Sequence, residues 1–440
     1  MSPAMASILG LVILFILGTA LPINMGAIAF ALAFLIGTFS VGMSANAILG
    51  GFPGDLFVTL VGITYLFAIA QKNGTIDLLV HWAVRGVRGH VAAIPWVMFG
   101  VAAVLTAVGA VSPAAVAIIA PIALRFARHY DIDRLMMGLL VVHGAQGGGF
   151  SPISIYGGIT NQIVERAGLP GNDTALFLAS LLFNLAVAIG VFFAFGGGRL
   201  IGRRDTGTHE EFEDGARASL PVTGHGGTPA APRESGHPHP TQASRDQLLT
   251  LAGLVILGVG SLAFGLNVGM VAMTIAVVLA LLSPNAQKGA IDKVSWSTVL
   301  LIAGVITYVG VLQKAGAIDM VSTNVAALGS ALLAAMLLCY IGGVVSAFAS
   351  STGVLGAIIP LAVPFLAGGE IGAVGMIAAL AISATIVDVS PFSTNGALVL
   401  ANAPEGERDQ LFRRFLIYSG LVVVLGPALA WAVLILPGWL

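Results

Sequence analysis

One short pattern is written twice. Ser151-Pro152-Ile153-Ser154, followed by Gly157, recurs as Ser390-Pro391-Phe392-Ser393, followed by Gly396, and each copy interrupts a long apolar segment. Proline removes a backbone donor and glycine loosens the chain, so both segments are expected to be broken helices. Unwound backbone at membrane depth is tolerated only where it is buried in protein or lines a cavity. Two such breaks in corresponding halves are a pointer to a transporter's binding site. The composition agrees with a membrane setting. The chain is 57% hydrophobic and only 9% charged, against roughly 25% charged in soluble domains. The net charge of -1 leaves no block suited to nucleic acid, and the lone Cys339 excludes an intramolecular disulfide.

The two breaks belong to a longer repeat. Ile63-Thr64-Tyr65 returns as Ile306-Thr307-Tyr308, and Gln71-Lys72-Asn73-Gly74-Thr75-Ile76-Asp77 returns as Gln313-Lys314-Ala315-Gly316-Ala317-Ile318-Asp319. Ala117-Ile118-Ile119 with Pro121 answers Ala357-Ile358-Ile359 with Pro360, and the breaks follow in the same order. The offset drifts only from 243 to 239. Residues 1–200 and 248–440 thus read as two repeats. The polar stretch 201–247 between them lacks the apolar residues to form a core and reads as a disordered linker. Its His209, His225, His237 and His239 are too loosely spaced for a metal site.

The expected fold class is an all-α polytopic membrane protein. A span needs about 20 apolar residues, and about ten are read, near 5–21, 23–43, 57–71, 135–163, 175–197, 248–266, 268–284, 296–313, 372–402 and 411–437. Segments 91–127 and 331–367 are too long for one span and carry small-residue centres. They read as re-entrant hairpins with tips at Gly109-Ala110-Val111-Ser112-Pro113 and Ser350-Ser351-Thr352-Gly353. With this layout 17 of the 19 Lys and Arg residues fall on one side, leaving Arg166 and Lys314 on the other. The positive-inside rule makes the basic side cytoplasmic. The termini then lie outside, the linker inside, and the repeats are inverted, with the first hairpin entering from the cytoplasm and the second from outside. Such a design alternates access to a site near the midplane. Segments 74–90 and 315–330 read equally as interfacial amphipathic arms or as ordinary connecting helices, and Asp55 as a turn or helix-start residue.

The chemistry is expected at the tips and breaks. Substrate contacts are assigned to Ser112, Pro113, Ser151, Ser154, Ser351, Thr352, Thr394 and Asn395. Half-helix N-termini there present free N–H groups suited to carboxylates, and no Lys or Arg falls at the breaks. Freed carbonyls and hydroxyls suit a cation, so binding or coupling is assigned to Gly149, Ser350, Ser351, Ser390 and Ser393. His143 and Asp388 join them as ionisable residues inside apolar segments. Asp388 could balance a bound cation or carry a proton. No His/Glu metal motif, nucleotide loop or nucleophile–base pair occurs in these segments, so no enzyme activity and no resident cofactor is expected.

Gly51-Phe52-Pro53-Gly54-Asp55-Leu56-Phe57, Ile63-Thr64-Tyr65 and His143-Gly144-Ala145-Gln146 leading into Ser151–Gly157 resemble the bacterial malonate/dicarboxylate carriers of the MatC type. More broadly the layout resembles the ion transporter superfamily, above all the divalent-anion/sodium symporters. The resemblance implies an elevator-type homodimer in the bacterial cytoplasmic membrane, carrying a small dicarboxylate held between the hairpin tips. It implies Na⁺ as the coupling ion, at sites here represented by Ser351 and Ser393. Those symporters carry Ser-Asn-Thr at both tips. The matching residues here are Val111-Ser112-Pro113 and Ser350-Ser351-Thr352, so amide contacts must come from Asn395 or Gln146. Within the same superfamily, proton-coupled symport, cation/proton antiport and oxyanion export are the alternatives.

Overall fold

The computed structural model describes residues 2–85, 89–204, 243–317, 320–321, 330–348, 350–367 and 371–438. Most of the expected linker and of the second amphipathic arm lies outside these residues. The described chain is helical, with one isolated β-bridge between His90 and Arg204.

The first half runs α1 (Pro3–Ala20), α2 (Met25–Phe39), α3 (Ala45–Leu49), α4 (Gly54–Lys72), α5 (Thr75–Arg85), α6 (Ala93–Ala107), α7 (Ser112–His129), α8 (Arg134–Gly148), α9 (Ile155–Arg166) and α10 (Asp173–Ala194). The second runs α11 (Arg245–Phe264), α12 (Val268–Leu282), α13 (Pro284–Gln287), α14 (Trp296–Lys314), α15 (Ala331–Ser346), α16 (Ser351–Ala367), α17 (Ala373–Ile386), α18 (Thr394–Ala401) and α19 (Arg408–Leu434). Six of these helices are long and apolar enough to cross a membrane alone, namely α1, α4, α10, α11, α14 and α19. The segment expected to span 23–43 is helical only to Phe39, because Gly42 turns left-handed at φ 76° and takes the chain out of the helix. Ser44 then caps a single turn, α3, in what reads from sequence as loop.

Helices divide into inner and outer sets. Along α1, α10, α11 and α19 only 22–33% of residues are buried, and side chains such as Phe193, Val255 and Ile417 face outward as a bilayer requires. By contrast α4 is 72% buried and α14 61%. At the centre, α8 is buried from Leu135 to Gly148 and α17 from Gly375 to Ile386. The two broken segments are therefore the core of the molecule.

The halves exchange contacts reciprocally. Helix α4 packs on α12 of the other half, and α14 packs on α2. Each crossing is made at paired glycines. Gly62 meets the Gly269 backbone, and Gly304 meets the Gly26 backbone, so closely that a Cβ on any of the four would overlap main chain. The same exchange recurs deeper in the molecule, where α7 packs on α18 and α16 on α9. Three ion pairs, Arg166–Asp55, Arg134–Glu407 and Arg414–Asp133, join helix ends that the charge count places on a common side. Asp55 thus sits in the first turn of α4, facing a cation from α9.

Candidate functional site

Both breaks are built alike. Helix α8 stops at Gly149 and α9 restarts at Ile155, with Ser154 as N-cap; α17 stops at Val387 and α18 restarts at Thr394, with Ser393 as N-cap. Each cap hydroxyl accepts from a glycine N–H three residues on, Gly157 at 3.2 Å and Gly396 at 3.3 Å. Each also donates back across its own break, Ser154 to the carbonyls of Gly149 and Ser151, and Ser393 to those of Asp388 and Ser390. The glycines are required there. A Cβ at Gly157 would overlap the Ser151 carbonyl, and one at Gly396 the Ser390 carbonyl. Backbone groups released by the break are thus partly satisfied by its own serines.

This pairing equates Gly149 with Asp388. Asp388 brings a buried carboxylate to the second break, 5% exposed. Its oxygens lie among neutral donors: the Asn395 Nδ2 at 2.9 Å, the hydroxyls of Ser393 and Ser351, and the Asn395 backbone N–H. The second break therefore carries an acidic group where the first has glycine.

The hairpin tips meet these breaks. Ser112, at the start of α7, is buried and accepts from Asn395 Nδ2 at 2.8 Å. Asn395 thus bridges the first tip to Asp388. The Tyr156 hydroxyl lies beside Thr352 of the second tip and Ser112 of the first. Ser346 and Ser351 close the second tip with a hydroxyl–hydroxyl bond of 2.9 Å. Ser151 donates to the Ala107 carbonyl and so ties the first break to the first hairpin. A narrow pocket lined by Ala110, Ser112, Gly149, Ile155 and Tyr156 lies against this cluster. Two hairpins and two breaks, widely separated in sequence, close on one small polar centre.

Most sequence-assigned residues are gathered here, including Pro113 in the first turn of α7 and Ser390, whose hydroxyl accepts from Phe392 N at 3.2 Å. Ser350 lies half-buried, with its carbonyl accepting from Val354 N at 3.1 Å. Two residues are placed elsewhere. Thr394 is exposed, because its neighbour Asn395 faces the cluster and consecutive helix residues differ by about 100° in direction. His143 is fully buried between α8, α10 and α19, with Nδ1 at 3.0 Å from Asn184 Oδ1 and Nε2 at 2.8 Å from Tyr418 OH. Amide oxygen only accepts, so Nδ1 carries a proton, while Nε2 shares a hydrogen bond with the tyrosine hydroxyl. That geometry is a satisfied interhelical network. His143→Ala is expected to cost about 2–5 kcal/mol by orphaning two buried partners, seen as a lower melting temperature in detergent with the response to ion gradients retained.

Tyr156 went unassigned by sequence reasoning because an aromatic in an apolar helix reads as core. The signal was present, since the offset of 239 that equates the breaks equates Tyr156 with Asn395. Gln146 is fully buried near the first break, and neither of its side-chain polar atoms has a hydrogen-bond partner among the described residues. The Asn395 Oδ1 is likewise without one. Tyr156→Phe should remove contacts to both tips and weaken substrate half-saturation by roughly tenfold, at about 1 kcal/mol or slightly more for the lost hydroxyl.

The fold is that of a polytopic membrane protein in which two helix breaks and two hairpin tips close on one polar centre. The structure superposes on the YdaH transporter of Alcanivorax borkumensis, whose crystal structure is described as having an unusual topology, with a TM-score of 0.59. The match covers 98% of each chain at 15% identity. Residues 1–149 match the family model of the dicarboxylate carrier protein MatC N-terminus, in line with the resemblance carried by the motifs of the first half. No curated protein matches the chain. Both matches are to transport proteins by their own descriptions.

Proposed function

We propose that the protein is a secondary active carrier of a small dicarboxylate, coupled to a cation gradient and working by alternating access. The observation that carries this reading is the convergence of two hairpin tips and two helix breaks through Ser112, Tyr156, Thr352, Asp388 and Asn395. Hydroxyl and amide donors that now satisfy one another can turn to substrate carboxylates, with the N-termini of α7, α9, α16 and α18 supplying further N–H groups. The family match of residues 1–149 favours a dicarboxylate as the cargo, and the motif resemblance alone narrows it to malonate or a C4 acid.

The cation belongs at the second break. A dicarboxylate beside Asp388 gathers like charges in a buried centre, where no Lys or Arg side chain is found among the contacts named above. Such charge requires compensation. Na⁺ at Ser351 and Ser393, balanced by Asp388, is the preferred arrangement. It draws on oxygens of hydroxyl, carbonyl and carboxylate type. Asp388 equally supports the alternative in which a proton is the coupling ion. Cation/proton antiport and oxyanion export remain the competing activities within this fold. Reciprocal packing of the halves supports inverted repeats, the ion pairs support the grouping of helix ends by side, and the Lys and Arg distribution supports termini outside and a cytoplasmic linker. The elevator movement and homodimer follow the same resemblance. Native mass spectrometry should give twice the chain mass, and a monomer alone would refute the dimer.

Uptake of labelled malonate or succinate into proteoliposomes tests the function. Saturable accumulation driven by a Na⁺ gradient is expected. Accumulation driven only by a proton gradient would move the coupling to Asp388 protonation, and no uptake under either gradient would overturn the proposal.

A further inference from the structure

Two spaces adjoin the first hairpin tip. One is the narrow pocket at Ser112, Gly149 and Tyr156. The other is a crevice of about 50 Å³ between the tip residues Gly109, Ala110 and Val111, helix α4 at Thr64 and Gln71, and the segment carrying Lys293 and Ser295. That volume is several times what one water needs. Ala110 lines both spaces and so lies where the crevice adjoins the site. Gln71, Ala114 and Lys293 are exposed and mark the mouth, on the side to which the charge count assigns most of the basic residues. Gly109 holds φ at 118°, which a residue with a side chain rarely adopts, so the turn beside Ala110 pivots at a glycine.

We propose that this crevice is an anion vestibule, in which a carboxylate passing Ala110 is received by Lys293 with Gln71 and Ser295 as hydrogen-bonding partners. The inference rests on the dicarboxylate reading above. Its physical basis is a division of labour. The inner cluster holds carboxylates with neutral donors and contains Asp388, so its contacts are weak enough to release an anion. A compact, hydrated ammonium at the crevice mouth attracts that anion from a position where it does not lock the cargo in place. Asp292, next to Lys293 in sequence, does not line the crevice.

The test uses the full chain in sided membrane vesicles, with Ala114→Cys introduced after replacing the buried Cys339 by alanine. A membrane-impermeant maleimide should label position 114 from the cytoplasmic face only. Malonate or succinate on that face should slow the labelling. Adding Lys293→Gln should raise the half-protecting concentration about fivefold, the scale of an exposed ion pair, while Lys293→Arg retains protection. Half-saturation for uptake from the opposite face should be unchanged in both variants. Labelling only from the outer face, labelling without protection, or equal protection in Lys293→Gln would each overturn the vestibule. Uptake by the Ala114→Cys parent is measured on the same vesicles. Its absence indicts the transport reading, whereas uptake with any of those three results indicts the vestibule alone.

Discussion

Asp388→Asn should uncouple the carrier while leaving it folded. The substitution keeps the size of the side chain and removes the only carboxylate named at the polar centre, to which Asn395 Nδ2 donates and beside which the hydroxyls of Ser393 and Ser351 lie. Hydrogen bonds to a charged group contribute about 1.5–3 kcal/mol each. Loss of one such bond, together with the balancing charge for a cation, should lower gradient-driven uptake by roughly 30-fold or more. Glycine occupies the equivalent place at the first break, so the variant would make the two breaks alike in charge. The expected result is little or no response of uptake to the coupling ion, with a melting temperature within a few degrees of wild type. Undiminished, gradient-dependent uptake would show that the cation is held elsewhere.

The second large effect concerns stability. Gly304→Ala is expected to be severely destabilising, because the new Cβ would enter the Gly26 main chain at the crossing of α2 and α14. Overpacking of a core costs typically 1–3 kcal/mol. Here the obstacle is backbone rather than a movable side chain, so about 3 kcal/mol or more is expected. Gly258→Ala provides the contrast, since nothing lies within 4 Å of its added Cβ. That change in α11 should be neutral or stabilising by up to about 1 kcal/mol through helix propensity. Thermal unfolding and yield of folded protein in detergent distinguish the two. Equal melting temperatures for both variants would mean that the α2–α14 crossing is looser than the structure shows.

Legibility in the sequence followed the range of the physics. The breaks could be read because their cause is local. Proline, glycine and a capping serine within seven residues dictate both the stop and the restart, as at Ser154 and Ser393. The turns between α6 and α7 and between α15 and α16 were legible from the length and small-residue centres of segments 91–127 and 331–367. The glycine crossings were not legible. Gly26, Gly62, Gly269 and Gly304 are four of 57 glycines, and their role is a contact between segments more than 200 residues apart. Nor was the role of His143. A histidine in an apolar helix reads equally as structure or function until Asn184 and Tyr418 are seen to occupy both nitrogens. Tyr156 lay between these extremes. Its chemistry is ordinary, and only its register with Asn395 marks it.

The measurement that bears most directly on the central claim is thermal unfolding of the purified protein with dicarboxylates, in Na⁺ or with Na⁺ replaced by choline. If the tips and breaks form one substrate and cation site, a single small dicarboxylate should raise the melting temperature, and its effect should shrink in choline. Saturation at a hundred times the dissociation constant corresponds to about 2.7 kcal/mol of stabilisation. Tyr156→Phe should need more ligand for the same shift, and Asp388→Asn should lose the dependence on Na⁺. Stabilisation by no dicarboxylate in either salt, or a shift that survives unchanged in both variants, would contradict the site.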